Sequence, residues 1–218
     1  TRKSEMATGT QAPVRGRPRT ITRERIVEAG IRMGLPGLTF VGVAGLLGVS
    51  HMALYKHVSS LGELRQMVAA EIFERWDIPK VGNDEYADLE GYLMAFTASL
   101  RNLVRTYPGL APYLIRRAVA TPAMMAKIDA HHREVGRAFA IPQADVRQIL
   151  AMVAFHCIAV ADTVYAAVDD PEDDPESNAE MEAEFELGMR TLIAGALLRL
   201  KDRMLSGCTA EERSLDDA

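Results

Sequence analysis

Four side chains able to read or grip a polyanion stand close together: His51, Met52, Tyr55 and Lys56 in "GVSHMALYKHV". Leu54 and Val58 lie four residues apart among them. On a helix opening at His51 they share one face and turn the other four side chains outward. An outward His or Lys hydrogen-bonds purine acceptors, a Met touches a thymine methyl, and a Tyr reaches base or phosphate. Upstream, "RGRPR" places Arg15, Arg17 and Arg19 around Gly16 and Pro18. Pro holds such an arm extended, and its arginines suit the negative potential of a narrow AT-rich minor groove.

The other reactive side chains point to less. His131-His132 and His156-Cys157 are adjacent pairs, and neighbours on a helix diverge by about 100°, so neither pair chelates an ion unaided. No metal and no cofactor are expected. The chain has no Gly-rich phosphate loop, nucleophile elbow, HExxH motif, or Ser-His-Asp or Cys-His arrangement, which argues against an enzyme. The acids gather instead in "DDPEDDPESNAE", Asp169 to Glu180, expected as a solvated loop. Two cysteines, Cys157 and Cys208, make no disulfide framework and imply a reducing cytoplasm. No apolar run approaches the ~20 residues that span a bilayer, and no secretory signal is visible, so no membrane partner is expected.

Charge is divided unevenly along the 218 residues. Thr1 to Asp77 carries a balance of +4 and the remainder −9, giving the net −5. A basic first third facing an acidic remainder suits contact with a polyanion at one end.

The elements that position these residues read as helical throughout. Thr22 caps a first helix with Glu24 in its opening turn, and "GLPGLT" stops it. Thr39 caps a second, "FVGVAGLLG", closed by Gly48. Ser50 opens a third from His51 to about Val58, and Ser59 or Ser60 a fourth that runs to Trp76. The small Ala44, the turn-forming Gly48 and the apolar Val49 and Leu54 have the spacing that two short steeply crossing helices need. The amides at the starts near Thr39 and Ser50 are candidate phosphate sites. Further helices are expected over about 89–104, 110–120, 122–140, 143–168 and 179–206.

The segment "GRPRTITRERIVEAGIRMGLPGLTFVGVAGLLGVSHMALYKHVSSLGEL" resembles the DNA-binding domain of the TetR family of transcriptional regulators. "LGVSHMALYKHVSSLGEL" matches that family's turn, its Leu-Tyr-x-His recognition helix and the start of its fourth helix. The resemblance covers about residues 15–77 and extends weakly to "EFELGMRTLIAGALLRL". It implies an all-α fold: an N-terminal helix-turn-helix three-helix DNA-binding domain, joined by a linking helix to a larger helical ligand-binding and dimerisation domain. The boundaries expected are 1–19 for a flexible basic arm, 20–77 for the DNA-binding domain and 78–218 for the rest. His51, Met52 and Tyr55 would then lie against bases, with Thr39, Tyr55, Lys56 and His57 near phosphates. Two departures remove affinity from the helices: Leu61 stands where relatives often carry Lys, and Phe40-Val41 where several carry a basic or polar residue. The arm would compensate.

The resemblance further implies a homodimer with a small-molecule effector pocket. Aromatic, Met and polar-tipped residues are the usual lining of such a site, and the candidates are Phe96, Tyr113, Met124, Met125, His132, Phe139, Phe155, His156, Asp162 and Tyr165. For the dimer, Gly188 and Gly195 share a helix face with Leu192, Ala196 and Arg199 nearby. The segment 143–168, including Met152, is apolar nearly all round, as expected of a helix packing on both core and partner. The expected function is a homodimeric repressor released from a palindromic double-stranded DNA operator by an effector. The alternative is a constitutive or architectural AT-rich DNA-binding protein.

Overall fold

The computed structural model describes residues 21–81, 86, 88–166 and 175–216. The three arm arginines Arg15, Arg17 and Arg19, and Asp169 to Asp174 of the acidic run, lie outside the described residues.

Among the described residues the regular structure is helical: α1 (Arg23–Met33), α2 (Phe40–Leu47), α3 (His51–Leu54), α4 (Leu61–Arg75), α5 (Leu89–Thr106), α6 (Ala111–Ile115), a 3₁₀ turn (Arg117–Val119), α7 (Pro122–Ala138), α8 (Gln143–Ala166) and α9 (Pro175–Asp216). The starts of α1, α2 and α4 follow from their caps. Thr22 Oγ1 accepts from Arg25 N at 3.3 Å, Thr39 Oγ1 from Gly42 N at 3.1 Å, and Ser60 Oγ from Glu63 N at 3.1 Å. Each satisfies a first-turn amide that has no partner within its helix.

Several expected boundaries change. The third helix stops at Leu54 rather than near Val58, because the His57 and Val58 amides both turn back onto Leu54 O, at 2.8 and 3.0 Å. The expected helix over 110–120 is broken: α6 ends at Ile115, Arg116 is extended, and a single 3₁₀ turn follows. The acidic run is not loop throughout. Pro175 opens α9, a first-turn position where its missing N–H costs nothing, and Glu176 suits the positive helix start.

Two apolar clusters organise the packing. The first joins α1 to α4 through Ile26, Leu38, Val43, Leu54, Val58, Leu64 and Val68, and takes in Leu103 and Leu110 from beyond residue 78. Gly30 sets how closely α1 approaches α4, since a Cβ there would stand 2.4 Å from Val68 Cγ2. The second gathers Tyr92, Leu93, Phe96 and Leu100 of α5 with Val146, Leu150, Val153 and Cys157 of α8 and Phe185, Met189 and Ile193 of α9. Trp76 and Leu114 pack against both. The stretch Gln143–Tyr165 is long and apolar enough to cross a membrane by length and composition. In this fold α8 packs against α5, α7 and α9, and its buried stripe is core.

Candidate nucleic-acid interface and the domain behind it

The turn between α2 and α3 is made by Gly48, whose φ of 68° and ψ of 38° are left-handed, a region other residues enter at a cost. Val49 N bonds Ala44 O at 3.0 Å and Gly48 N bonds Gly45 O at 3.2 Å, the paired closure of a Schellman motif. This turn swings α3 across α2 and buries Leu54 and Val58 completely. His51, Met52, Tyr55 and Lys56 are left exposed, Met52 at 62% and Tyr55 at 48%. His57 is half-buried, and Thr39 and Ser50 are exposed. The division of faces read from the Leu54 and Val58 spacing therefore holds, although Tyr55, Lys56 and His57 occupy a turn rather than a helix. Thr39 Oγ1 is committed to its own helix start, whereas the Ser50 side chain makes no capping bond.

Phe40 has a place the sequence did not suggest. Its ring stacks on Tyr55, with centroids 4.5 Å apart and planes within 15°. The aromatic at the start of α2 thus fixes the orientation of a side chain expected to meet DNA. A stacked pair of this kind is worth about 0.5–1.5 kcal/mol beyond its buried area. Phe40→Ala is expected to weaken DNA binding by roughly 2- to 10-fold, as Tyr55→Ala does, and the double variant to lose little more than either. Anisotropy titrations of the four proteins check this; fully additive losses would mean the ring does not act through Tyr55.

Arg23 is paired with Glu63 at 3.1 Å. Glu63 also accepts from Ser59 N at 2.8 Å and Ser59 Oγ at 2.6 Å, which holds the entry into α4 and lowers its carboxyl below the usual range.

Behind the interface, the effector candidates are dispersed. Phe96, Met124 and His132 are buried. Tyr113 packs against the first cluster, Asp162 is half-buried, and Phe139 and Tyr165 pack against the second cluster. Met125, Phe155 and His156 are exposed. A groove of about 450 Å³ lies between α8 and α9, lined by His156, Val160, Val164, Met181, Glu184, Phe185, Gly188, Met189 and Leu192. It adjoins the face expected to meet a second copy. A smaller one of about 260 Å³ includes Met152, Ala196 and Arg199.

Of the expected dimer residues, Gly188, Gly195 and Arg199 are exposed, and a Cβ on either glycine would meet nothing within 4 Å. Met152 and Leu192 are half-buried, while Ala196 belongs to the protein's own core. The outward faces of α8 and α9 also present Phe155 (51% exposed), Val160, Leu187 (64%) and Leu198 (62%).

The buried polar groups are built to stay neutral. His131 Nε2 lies 2.9 Å from the Tyr92 hydroxyl, which also reaches Pro79 O at 3.3 Å. The Nε2–H tautomer satisfies both, with histidine donating to the hydroxyl and the hydroxyl to the carbonyl. Phe96 stacks over the same imidazole at 5.7 Å. Burial, with His132 beside it, lowers His131 to about 4, and burial lowers His132 as well, against the pull of Asp129. His156 is bonded to its own helix through Nδ1 and Met152 O at 2.8 Å. Cys157 is buried and pushed up to about 12, so the pair offers no activated thiolate.

Both buried histidines are neutral when folded and charge when unfolded below about pH 6.5. The unfolded chain therefore binds more protons; the contribution of His131 to stability is full above about 6.5 and lost as pH falls toward 4, and that of His132 changes in the same direction. His131→Phe is expected to flatten the decline of Tm between pH 7 and pH 4.5. Parallel profiles for variant and parent would show that His131 is not the group responsible.

No family profile matches the chain. A transcriptional repressor of helix-turn-helix type, DrrR1 of Streptomyces coeruleorubidus, is 32% identical over 120 residues, 52% of this chain. The match spans 43% of that repressor's length. Among solved structures, apo ActR of Streptomyces coelicolor superposes with a TM-score of 0.64 at 18% identity, covering 84% of this chain and 99% of ActR. ActR in complex with actinorhodin gives 0.61 at 20% identity, covering 81% and 95%. A TetR variant of Acinetobacter baumannii in complex with minocycline gives 0.66 at 19% identity, covering 83% and 99%. The all-α fold expected from the sequence is thus the fold of TetR-family regulators.

Proposed function

We propose that this chain, which carries the TetR-family fold, is a homodimeric DNA-binding transcriptional regulator of the cytoplasm, a repressor released from a palindromic operator by a small molecule. The observation that carries the reading is the exposed quartet His51, Met52, Tyr55 and Lys56, presented beyond a left-handed glycine turn on a pair anchored by Leu54 and Val58. In a dimer, two such faces enter successive major-groove half-sites with α3 leading. Residues 20–77 form the DNA-binding unit, with Thr39, Ser50, Lys56 and His57 nearest the phosphates. Arg15, Arg17 and Arg19 add minor-groove contacts, and residues 78–218 hold the effector and the partner. The outward faces of α8 and α9 supply the apolar area for dimerisation, around Gly188 and Gly195, where another backbone can come close.

The neighbours in complex with actinorhodin and minocycline support a small-molecule effector without naming one for this chain. An effector need shift the balance between operator-competent and incompetent states by only ~1–3 kcal/mol to change affinity 5- to 150-fold. The test is a thermal-shift screen of small molecules on the full chain, followed by anisotropy on a duplex selected by the protein itself. The reading predicts at least one stabilising compound that raises the dissociation constant at least about fivefold. Stabilising compounds that all leave DNA affinity unchanged would remove the effector from the account.

A further inference from the structure

The C-terminal end of α4 is held by a side chain from another helix. Lys127, at the second turn of α7, directs Nζ onto three backbone carbonyls: Phe73 O at 3.1 Å, Glu74 O at 2.5 Å and Trp76 O at 2.8 Å. An ammonium has three N–H groups and no acceptor, and here each has a carbonyl. These carbonyls belong to the end of a helix, where the last C=O groups lack partners and the dipole favours a cation. The same ammonium stands 5.6 Å from the centre of the Phe73 ring.

Two further struts reach the same helix: Gln66 Nε2 donates to Val119 O at 2.9 Å, and Trp76 Nε1 to Ser99 Oγ at 2.9 Å. On its other side α4 packs against α1 at Gly30 and contributes Leu64 and Val68 to the core that supports α3. A movement of α7 that carried Lys127 would therefore carry the end of α4, and one that withdrew it would take a donor from all three carbonyls, leaving Phe73 O only its bond from Trp76 N at 3.2 Å.

We propose that Lys127 is the positioning residue through which α7 fixes the C-terminal end of α4, and with it the separation of the two reading faces in a dimer; this rests on the regulator reading above. It does not touch DNA. Its role is to make the orientation of α4 a property of the larger helical domain.

Trp76 is the chain's one tryptophan, so its emission reports this junction directly. The full chain is compared with Lys127→Met, which keeps the stem over Phe73 and removes every donor, and with Lys127→Arg, which keeps the charge. Without DNA, Lys127→Met is expected to shift Trp76 emission to the red and to speed amide exchange in the last turn of α4, with Lys127→Arg intermediate. With a duplex selected by the parent protein, it is expected to lose at least about fivefold of the preference for native half-site separation over one base pair more or less. Affinity for a single half-site should not move.

Unchanged emission and exchange would overturn the clamp. Altered emission with intact separation preference would reduce Lys127 to a structural contact and overturn its positioning role. If the parent protein itself shows no separation preference on any duplex, the regulator reading falls and the positioning role with it. Emission and exchange would still decide whether Lys127 holds α4.

Discussion

Placing charges on the outward faces of α8 and α9, with Phe155→Glu and Leu187→Glu together, is expected to separate the dimer and to weaken operator binding by at least about 100-fold. Both side chains are more than half exposed although apolar. In a two-fold interface each substitution occurs twice, so four carboxylates would lose water to an apolar patch, a desolvation cost of about several kcal/mol per ion. A lone subunit then binds one half-site and loses the second, tethered contact, whose effective concentration contributes 10²–10⁴ in affinity. Sedimentation and anisotropy give the two readings, with circular dichroism to establish that the helices persist. Neither residue belongs to the buried core, so the fold should survive the change. A variant that remained dimeric at micromolar concentration would place the interface elsewhere on the molecule.

Removing residues 1–19 is expected to weaken operator binding by about two orders of magnitude near 0.1 M salt, and to flatten its salt dependence. Each phosphate neutralisation lost takes ~0.9 from the log–log slope, so Arg15, Arg17 and Arg19 account for a change of roughly 3. The described surface makes this dependence understandable. Val41 is 71% exposed, the apolar Leu61 is half-buried at the start of α4, and Arg23 is paired with Glu63. On the proposed reading, affinity beyond what Lys56 and the helix starts supply comes from the arm. Replacing the three arginines by alanine should reproduce most of the effect of the deletion. An unchanged slope in either variant would leave the arm with no part in binding.

Much of the first 77 residues was legible because local chemistry decides it. Thr22, Thr39 and Ser60 cap their helices through hydroxyls that a sequence displays openly, and Gly48 is where a left-handed turn is needed. The four-residue spacing of Leu54 and Val58 sorted the α3 side chains into buried and exposed before any coordinates. The end of α3 was not legible, since Tyr-Lys-His carries no stop signal and the turn depends on two amides sharing Leu54 O. Contacts made across the fold were hidden for the same reason. Phe40 and Tyr55 stack across the turn, Tyr92 bonds His131 from 39 residues away, and Lys127 reaches Trp76 across 51. Nothing in their types or spacing pairs them.

The larger helical domain was the least legible. Aromatic, Met and His side chains are drawn equally to cores and to ligand sites, and burial separated them: Phe96, Met124 and His132 went to the interior, Phe155 and His156 to an outer face. Ala196 was expected at the dimer face and belongs to the subunit's own core, because on α9 it follows Phe185, Met189 and Ile193 inward.

Two copies of the chain are expected to read one inverted repeat through α3. Selection of bound duplexes from a random library by the full chain, at ~0.15 M salt, tests it most directly when followed by measurement of the protein:DNA stoichiometry. The expected result is enrichment of a single inverted repeat bound by two subunits, its half-sites about one helical turn or a multiple apart, and lost in His51→Ala/Tyr55→Ala. Enrichment of AT-rich duplexes with no repeat, at any stoichiometry and indifferent to that double substitution, would contradict it.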